Sequence, residues 1–272
     1  MVLKLKLEKQ INLQLQQALN PQTSQNFGRR IYSIDIDDQR YWLKLQLKNV
    51  SSYHEGAFIH ELNQYELIYR QSDSVLAPFQ IIQLSDFIVD ANYREYFRQG
   101  LIVADLPLLF SDISVLSKRE IVTRLHLSIE ILEKLHSLQI IHGDLKVEHF
   151  RQHQGHSVFI DLEQSFHFTE HVKQQNTATP RYMAPELFHA EPKTIQTDLY
   201  ALGIIWLEWL TQQKLQAKTY HDWAILHCQS LNPTLNAEFY EIEPILKQLL
   251  MKNKLKRCTN FYQIKQQLSQ IV

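Results

Sequence analysis

Glycine is scarce in this chain: only six of the 272 residues are glycine, where about 7%, or roughly nineteen, is usual. Neither G-x-G-x-x-G nor G-x-x-x-x-G-K-[ST] occurs anywhere, so the standard glycine-rich phosphate loops are excluded. Cysteine is scarcer still. Cys228 and Cys258 make neither a disulfide framework nor a zinc-binding spacing, which suits a reducing compartment. An excess of one charge is also missing, with Lys plus Arg at 28, Asp plus Glu at 29 and a formal net charge of −1. Proteins that bind nucleic acid by neutralising phosphates are ordinarily basic, at least locally. The nearest basic run, Lys252, Lys254, Lys256 and Arg257, alternates like a solvated helix or loop, so no nucleic-acid partner is expected. The longest apolar run, residues 199–210, is too short for a bilayer and carries Glu208, so no transmembrane segment is expected. The opening MVLKLKLEKQ alternates apolar residues with lysine and is no signal peptide, so the expected location is cytoplasmic.

What is present is ordinary apolar material, 44% of residues, enough for one or two sizeable cores. The first half carries strand signals of period two: Leu3, Leu5 and Leu7, then Ile11, Leu13 and Leu15, then Tyr32, Ile34 and Ile36. Asp37-Asp38-Gln39 reads as a turn into a returning strand with Tyr41, Leu43, Leu45 and Leu47. Phe58, Leu62, Tyr65 and Tyr69 predict a helix over about residues 56–70, and residues 79–84 and 101–104 read as strands. Pro107 closes this strand-rich part. Ser117 and Glu120 form a capping box before a stripe of Ile121, Leu125, Ile129, Leu132 and Leu135. A loop-rich stretch spans about 140–197, residues 199–210 read as a buried central helix, and amphipathic helices finish the chain.

The segment Ile141-His142-Gly143-Asp144-Leu145-Lys146-Val147-Glu148-His149 resembles the catalytic loop of protein kinases, H-R-D-L-K-x-x-N. An ordered series follows it. Asp161, in Phe159-Ile160-Asp161-Leu162-Glu163, lies where kinases carry D-F-G. Residues 179–186, TPRYMAPE, are similar to the end of a kinase activation segment, Asp198 to Gly203 resembles D-x-x-x-x-G, and Arg257 falls where the family keeps an arginine that pairs with the A-P-E glutamate. The steps from Asp144 to Asp161, Glu186, Asp198 and Arg257 are 17, 25, 12 and 59 residues, and the resemblance covers about residues 25–268. It implies an α+β, bilobal protein kinase-like fold. Residues 1–104 would be a small antiparallel-sheet lobe with one helix, and residues 105–272 a larger, mainly helical lobe.

The resemblance also implies roles. Phosphoryl transfer needs positioning and neutralisation of charge more than covalent chemistry from the protein. Asp144 would orient the attacking hydroxyl and accept its proton, Lys146 would steady the transferred group, and Asp161 would hold Mg2+ with ATP. Lys44, in Tyr41-Trp42-Leu43-Lys44, stands in the place of V-A-I-K as the contact to the phosphates, with Glu61 as its partner. Lys48, Glu55 and Glu66 are competing assignments. Trp42 shares a strand face with Lys44 and would stack on adenine, as in the aminoglycoside phosphotransferases, or be a core residue. Val103 and Asp105, where the lobes would join, complete the ATP-binding set. Thr179 belongs to the substrate-docking platform.

Four departures stand out. Asn26-Phe27-Gly28-Arg29-Arg30 lies where the glycine loop is expected, so the arginines replace backbone amides as phosphate donors or form a solvated basic turn. His149 takes the place of the asparagine that binds a second metal, which suggests tolerance of Mn2+ or a single metal. Gly143 replaces the arginine that pairs with a phosphorylated activation segment, so phosphorylation of Thr169 or Thr177 would not activate in that way. Glu163 replaces the D-F-G glycine, which suggests a fixed segment. His142, His149, His153 and His156 also fall within fifteen residues, a conceivable zinc site. Glu186, Arg257 and Asp198 read as structural.

Three readings of function follow. The first is a bacterial-type Ser/Thr protein kinase acting on a protein hydroxyl. The second is a kinase of lipopolysaccharide core sugars or another small-molecule or lipid-core acceptor, which His149-Phe150 and Ile160-Asp161-Leu162 also resemble. The third is a pseudokinase scaffold.

Overall fold

The computed structural model describes residues 5, 17–72, 74–86, 94–169 and 178–271. The chain divides into two compact units, Met1–Pro107 with Val158–Glu163, and Leu108–Ser157 with Gln164–Val272. The sequence suggests a single boundary between 104 and 105, whereas residues 158–163 join the first unit. The return of residues 158–163 to the first unit has a local cause: the Phe159 N–H donates to the Val75 carbonyl at 2.8 Å, and the Ala77 N–H to the Phe159 carbonyl at 3.0 Å. Such long-range pairing leaves no periodic mark on a sequence.

In the first unit a short helix α1 (Gln22–Asn26) precedes the hairpin of β1 (Arg29–Ile36) and β2 (Gln39–Gln46). Asp37 and Asp38 turn it with φ of 50° and 60°, the left-handed pair that a two-residue hairpin connection requires. Alternation then puts Tyr32, Ile34 and Ile36 on the same face as Tyr41, Leu43 and Leu45, and with Ile82, Leu84 and Ile102 they make one core. The strands β3 (Phe79–Gln83) and β4 (Gln99–Ala104) complete an antiparallel sheet in the order β1-β2-β4-β3. Between β2 and β3 runs α2 (Ser52–Gln71), four residues longer at its start than the periodicity suggests. Ser51 caps it by accepting the His54 N–H, so the helix begins on a polar turn that an apolar stripe does not reveal. Phe58, Glu61, Leu62, Tyr65 and Ile68 form its buried face. The strands expected around Leu3 to Leu7 and Ile11 to Leu15 fall outside the described residues, apart from Leu5, whose N–H donates to the Phe79 carbonyl.

The second unit is mainly helical. The capping box of Ser117 and Glu120 starts α3 (Lys118–Ser137). The stretch read as loop contains short pieces: β5 (Ile140–Ile141) pairs with β8 (Phe166–His167), and Gln154 and Gly155 turn the chain from β6 (Phe150–His153) into β7 (His156–Phe159), whose last two residues belong to the first unit. Two to four residues are too few to register as alternation. The helix α4 (Ile195–Thr211) is apolar all round and buried from Thr197 to Leu210, which marks it as the centre of this unit. The Trp206 indole N–H donates to Ser128 of α3 at 3.0 Å. Three shorter helices follow, α5 (Tyr220–Ile225), α6 (Glu243–Leu249) and α7 (Phe261–Ser269). Among the described residues no helix is long and apolar enough to cross a membrane.

Candidate active site

In the first unit, a group of charges gathers on Lys44. Alternation along β2 turns Lys44 away from the apolar core, and its ammonium lies 2.7 Å from Glu61 and 3.1 Å from Asp161. The competing assignments have other partners. Glu55 accepts the Val50 N–H, Glu66 pairs with Arg70, and Lys48 donates to the Arg94 carbonyl. Burial works against the Lys44 ammonium, but Asp161, Glu61 and Glu163 outweigh it, despite the opposing Arg29, and lift its pKa above the ordinary lysine value. Burial is also the main influence on Glu61, whose carboxyl is raised. Asp161 has φ 61° and its N–H donates to the Tyr65 hydroxyl at 3.2 Å, so α2 also fixes the backbone of this loop.

Trp42 is half-buried, paired across the sheet with Val103, and its indole N–H donates to the Asp105 carboxylate at 2.9 Å. The Asp105 N–H donates to the Arg40 carbonyl. These three residues therefore adjoin one another where the middle of β2 pairs with the end of β4.

The arginines at the missing glycine loop do something other than the sequence suggests. Arg29 is buried, with ion pairs to Glu61 at 3.3 Å and Glu163 at 3.0 Å. Arg30 donates to the carbonyls of Gln25 and Arg29. Arg29 is therefore neither a solvated turn residue nor an open phosphate donor, and Arg30 is half-buried within β1. The sequence carried no signal for this, because the partners lie 32 and 134 positions away from Arg29.

In the second unit, Asp144 is held from two sides. Lys146 lies 2.9 Å from one carboxylate oxygen, and the Thr179 N–H donates to the other at 3.0 Å. Burial pushes the Asp144 carboxyl up, but Lys146, His149 and these hydrogen bonds more than offset it, and it lies below the usual carboxylate range. Thr179 thus touches Asp144 through its backbone, while Thr169 is exposed and Thr177 falls outside the described residues. His149 is buried and stacks on His142 with ring centroids 5.3 Å apart.

Asp198, at the start of α4, anchors the loop that carries Asp144. Its carboxylate accepts the N–H groups of His142 at 2.8 Å and Gly143 at 2.9 Å, and meets His136 at 3.0 Å. Gly143 has φ 79°, and a Cβ there would come 2.6 Å from the Gln164 carbonyl oxygen. Lys193 fills the neighbouring space, its Nζ 3.4 Å from where that Cβ would sit. Burial lowers the Lys193 pKa, against the pull of Asp144 and Asp198. A cation therefore lies beside Gly143, supplied by a lysine fifty residues later. Sequence reading missed both Lys193 and His136.

Among the described residues, the histidines do not gather into a metal cluster. The grouping with ligand atoms within 4.8 Å of one another is Glu61, Asp161 and Glu163.

Comparison with known proteins agrees with these motifs. The family model for the protein kinase domain matches residues 47–270. The match begins just after β2, so Lys44 and the loop without glycines precede it. Over 79 residues, 28% of this chain, the sequence is 38% identical to the human serine/threonine-protein kinase Sgk1, and that stretch covers 18% of the human protein. The chicken Sgk1 matches to the same extent. A stretch of 104 residues, 36% of the chain, is 30% identical to the "Probable L-type lectin-domain containing receptor kinase S.5" of Arabidopsis thaliana and covers 16% of it. The chain thus spans under a fifth of the length of these relatives. With the ordered series from Asp144 to Arg257 and a four-stranded antiparallel sheet followed by a helical unit, the chain belongs to the protein kinase domain family.

Proposed function

We propose that this protein transfers the γ-phosphate of ATP to the hydroxyl of a serine or threonine in a protein. The observation that carries this reading is the Lys44 ammonium held between Glu61 and Asp161 at 2.7 and 3.1 Å. Buried charge is costly unless every group is paired, and here the pairing sets a cation suited to phosphate beside carboxylates suited to a metal.

Each residue then has a task. Lys44 meets the α- and β-phosphates. Trp42, Val103 and Asp105 form the edge that receives adenine. Asp144, held ionised beside Lys146, accepts the proton of the attacking hydroxyl, and Lys146 steadies the group in transit. Thr179, bonded to Asp144, fixes the segment on which the acceptor chain docks. Magnesium asks for oxygen ligands, and the carboxylates of Asp161, Glu163 and Glu61 offer that chemistry at close range. Asp161 would hold such a cation, and the chemistry it would supply there is neutralisation of phosphate charge. His149 brings buried nitrogen rather than oxygen, so we assign it the electrostatic support of Asp144.

The test is incubation with labelled ATP, Mg2+ or Mn2+ and a panel of protein acceptors. The protein is expected to label itself or an acceptor, and Asp144→Asn and Asp161→Asn are each expected to abolish the label. Unchanged labelling in both variants overturns the site. Transfer to a core sugar with no protein labelling replaces the acceptor class, and binding of ATP without transfer to anything replaces the enzyme with a scaffold.

A further inference from the structure

Arg29 opens β1, yet its guanidinium is buried and satisfied on every side. Its Nε donates to Gln46 at 3.1 Å, its Nη1 to Glu61 at 3.3 Å, its Nη2 lies 3.0 Å from Glu163, and the whole group sits 5.0 Å above the Phe58 ring. Lys44 reaches the same two carboxylates, Glu61 at 2.7 Å and Glu163 at 3.5 Å. Glu61 and Glu163 are therefore each shared by two cations. They come from different elements, one from α2 and one from the loop that carries Asp161. A planar guanidinium can meet two carboxylates in a fixed geometry that a point-charge ammonium cannot impose. Without Arg29, three carboxylates would share the single charge of Lys44, and like charges at this range repel strongly when buried. A glycine at 163 would have nothing to offer Arg29, so the two departures from the family pattern, arginine at the phosphate loop and glutamate after Asp161, meet in one contact.

We propose that Arg29 is a positioning residue: a permanent bridge between Glu61 and Glu163 that holds α2 and the Asp161 loop around Lys44. Its consequence for catalysis rests on the function proposed above; the bridge itself does not.

Amide hydrogen exchange, without nucleotide, reads the bridge independently of activity. Arg29→Met and Glu163→Gln are each expected to speed exchange at residues 158–163 and around Glu61 at least about tenfold. The double variant is expected to go no faster than the faster single, because both changes remove one bridge. Protection within α3 and α4 stays as in the wild type. With labelled ATP, Arg29→Met is expected to lower kcat about tenfold or more while KM for ATP moves less, with partial recovery in Arg29→Lys. Unchanged exchange in both single variants, or independent addition of their effects, overturns the proposal. Should Arg29→Met fail to fold, Glu163→Gln, whose side chain is 23% exposed, carries the same test. If the wild type transfers no phosphate to anything, the proposed function falls and the exchange result still decides the bridge.

Discussion

Glu186 grips Arg257 with both carboxylate oxygens, at 2.6 and 3.0 Å, across 71 positions of sequence. The arginine also donates to the carbonyls of Gln196 and Met251 and lies over the Tyr200 ring at 4.9 Å. Both side chains are almost fully buried. Removing one partner leaves the other charged and unpaired, at a cost of about 3–5 kcal/mol. Glu186→Gln and Arg257→Met are each expected to show that loss in urea denaturation, and the double variant to lose less than the sum of the two. Simple additivity would show that the pair does not act as a unit.

A pH dependence follows from Asp198. Burial raises its carboxyl, but the hydrogen bond and charge of His136, the proximity of His142 and the Gly143 N–H bring it below the ordinary value. A carboxyl lowered on folding binds its proton less tightly folded than unfolded. Its stabilising contribution is therefore present above the unfolded value, about 4, and is lost as pH falls through the lower folded value. Asp198→Asn is expected to be less stable than the wild type near neutrality, and the gap to narrow between about pH 5 and pH 2. Denaturation midpoints across that range check it. A gap that stays constant would remove Asp198 as the titrating group.

The legible parts of this molecule are those encoded locally. The hairpin around Asp37 and Asp38, the α3 capping box and the all-apolar α4 can be read from neighbours in sequence, because the forces that make them act over a few residues. Glu61 could be singled out from Glu55 and Glu66 only with help from a family spacing. The Asp161 loop was placed by its motif, but its return to the first unit depends on backbone bonds between residues 75–77 and 159. Arg29 is the clearest failure: its position suggests an outward arginine, either a phosphate donor or a solvated turn residue, whereas two distant carboxylates draw it inward. Lys193 was invisible for the same reason. Each owes its place to an interaction whose other half is far along the chain.

Two glycines with the same backbone angle separate crowding from conformation. Gly143 and Gly155 both have φ 79°, yet a Cβ at Gly143 meets the Gln164 carbonyl at 2.6 Å and one at Gly155 meets nothing within 4 Å. Gly155→Ala carries only the left-handed backbone penalty, about 1–2 kcal/mol. Gly143→Ala carries that and a clash with backbone, so it is expected to be clearly the more destabilising in thermal and urea denaturation. It is also expected to reduce phosphate transfer, since the displaced loop carries Asp144. Equal losses in the two variants would mean that the loop yields without cost.

Trp42 separates nucleotide contact from core packing. Its indole N–H donates to Asp105 at 2.9 Å and its ring is half-buried on the face that also presents Lys44. If the ring receives adenine, the aromatic face is what matters, and stacking on a base is worth about 1–3 kcal/mol. Trp42→Phe should then keep KM for ATP close to the wild type, while Trp42→Leu raises it roughly ten- to a hundredfold, since about 1.4 kcal/mol is a factor of ten. A core role predicts the opposite division. Both variants would lower the thermal midpoint, through lost area and an abandoned Asp105 partner, and leave KM where it was. Measuring KM and the thermal midpoint on the same two proteins decides between these, because only the stacking role distinguishes phenylalanine from leucine through nucleotide affinity.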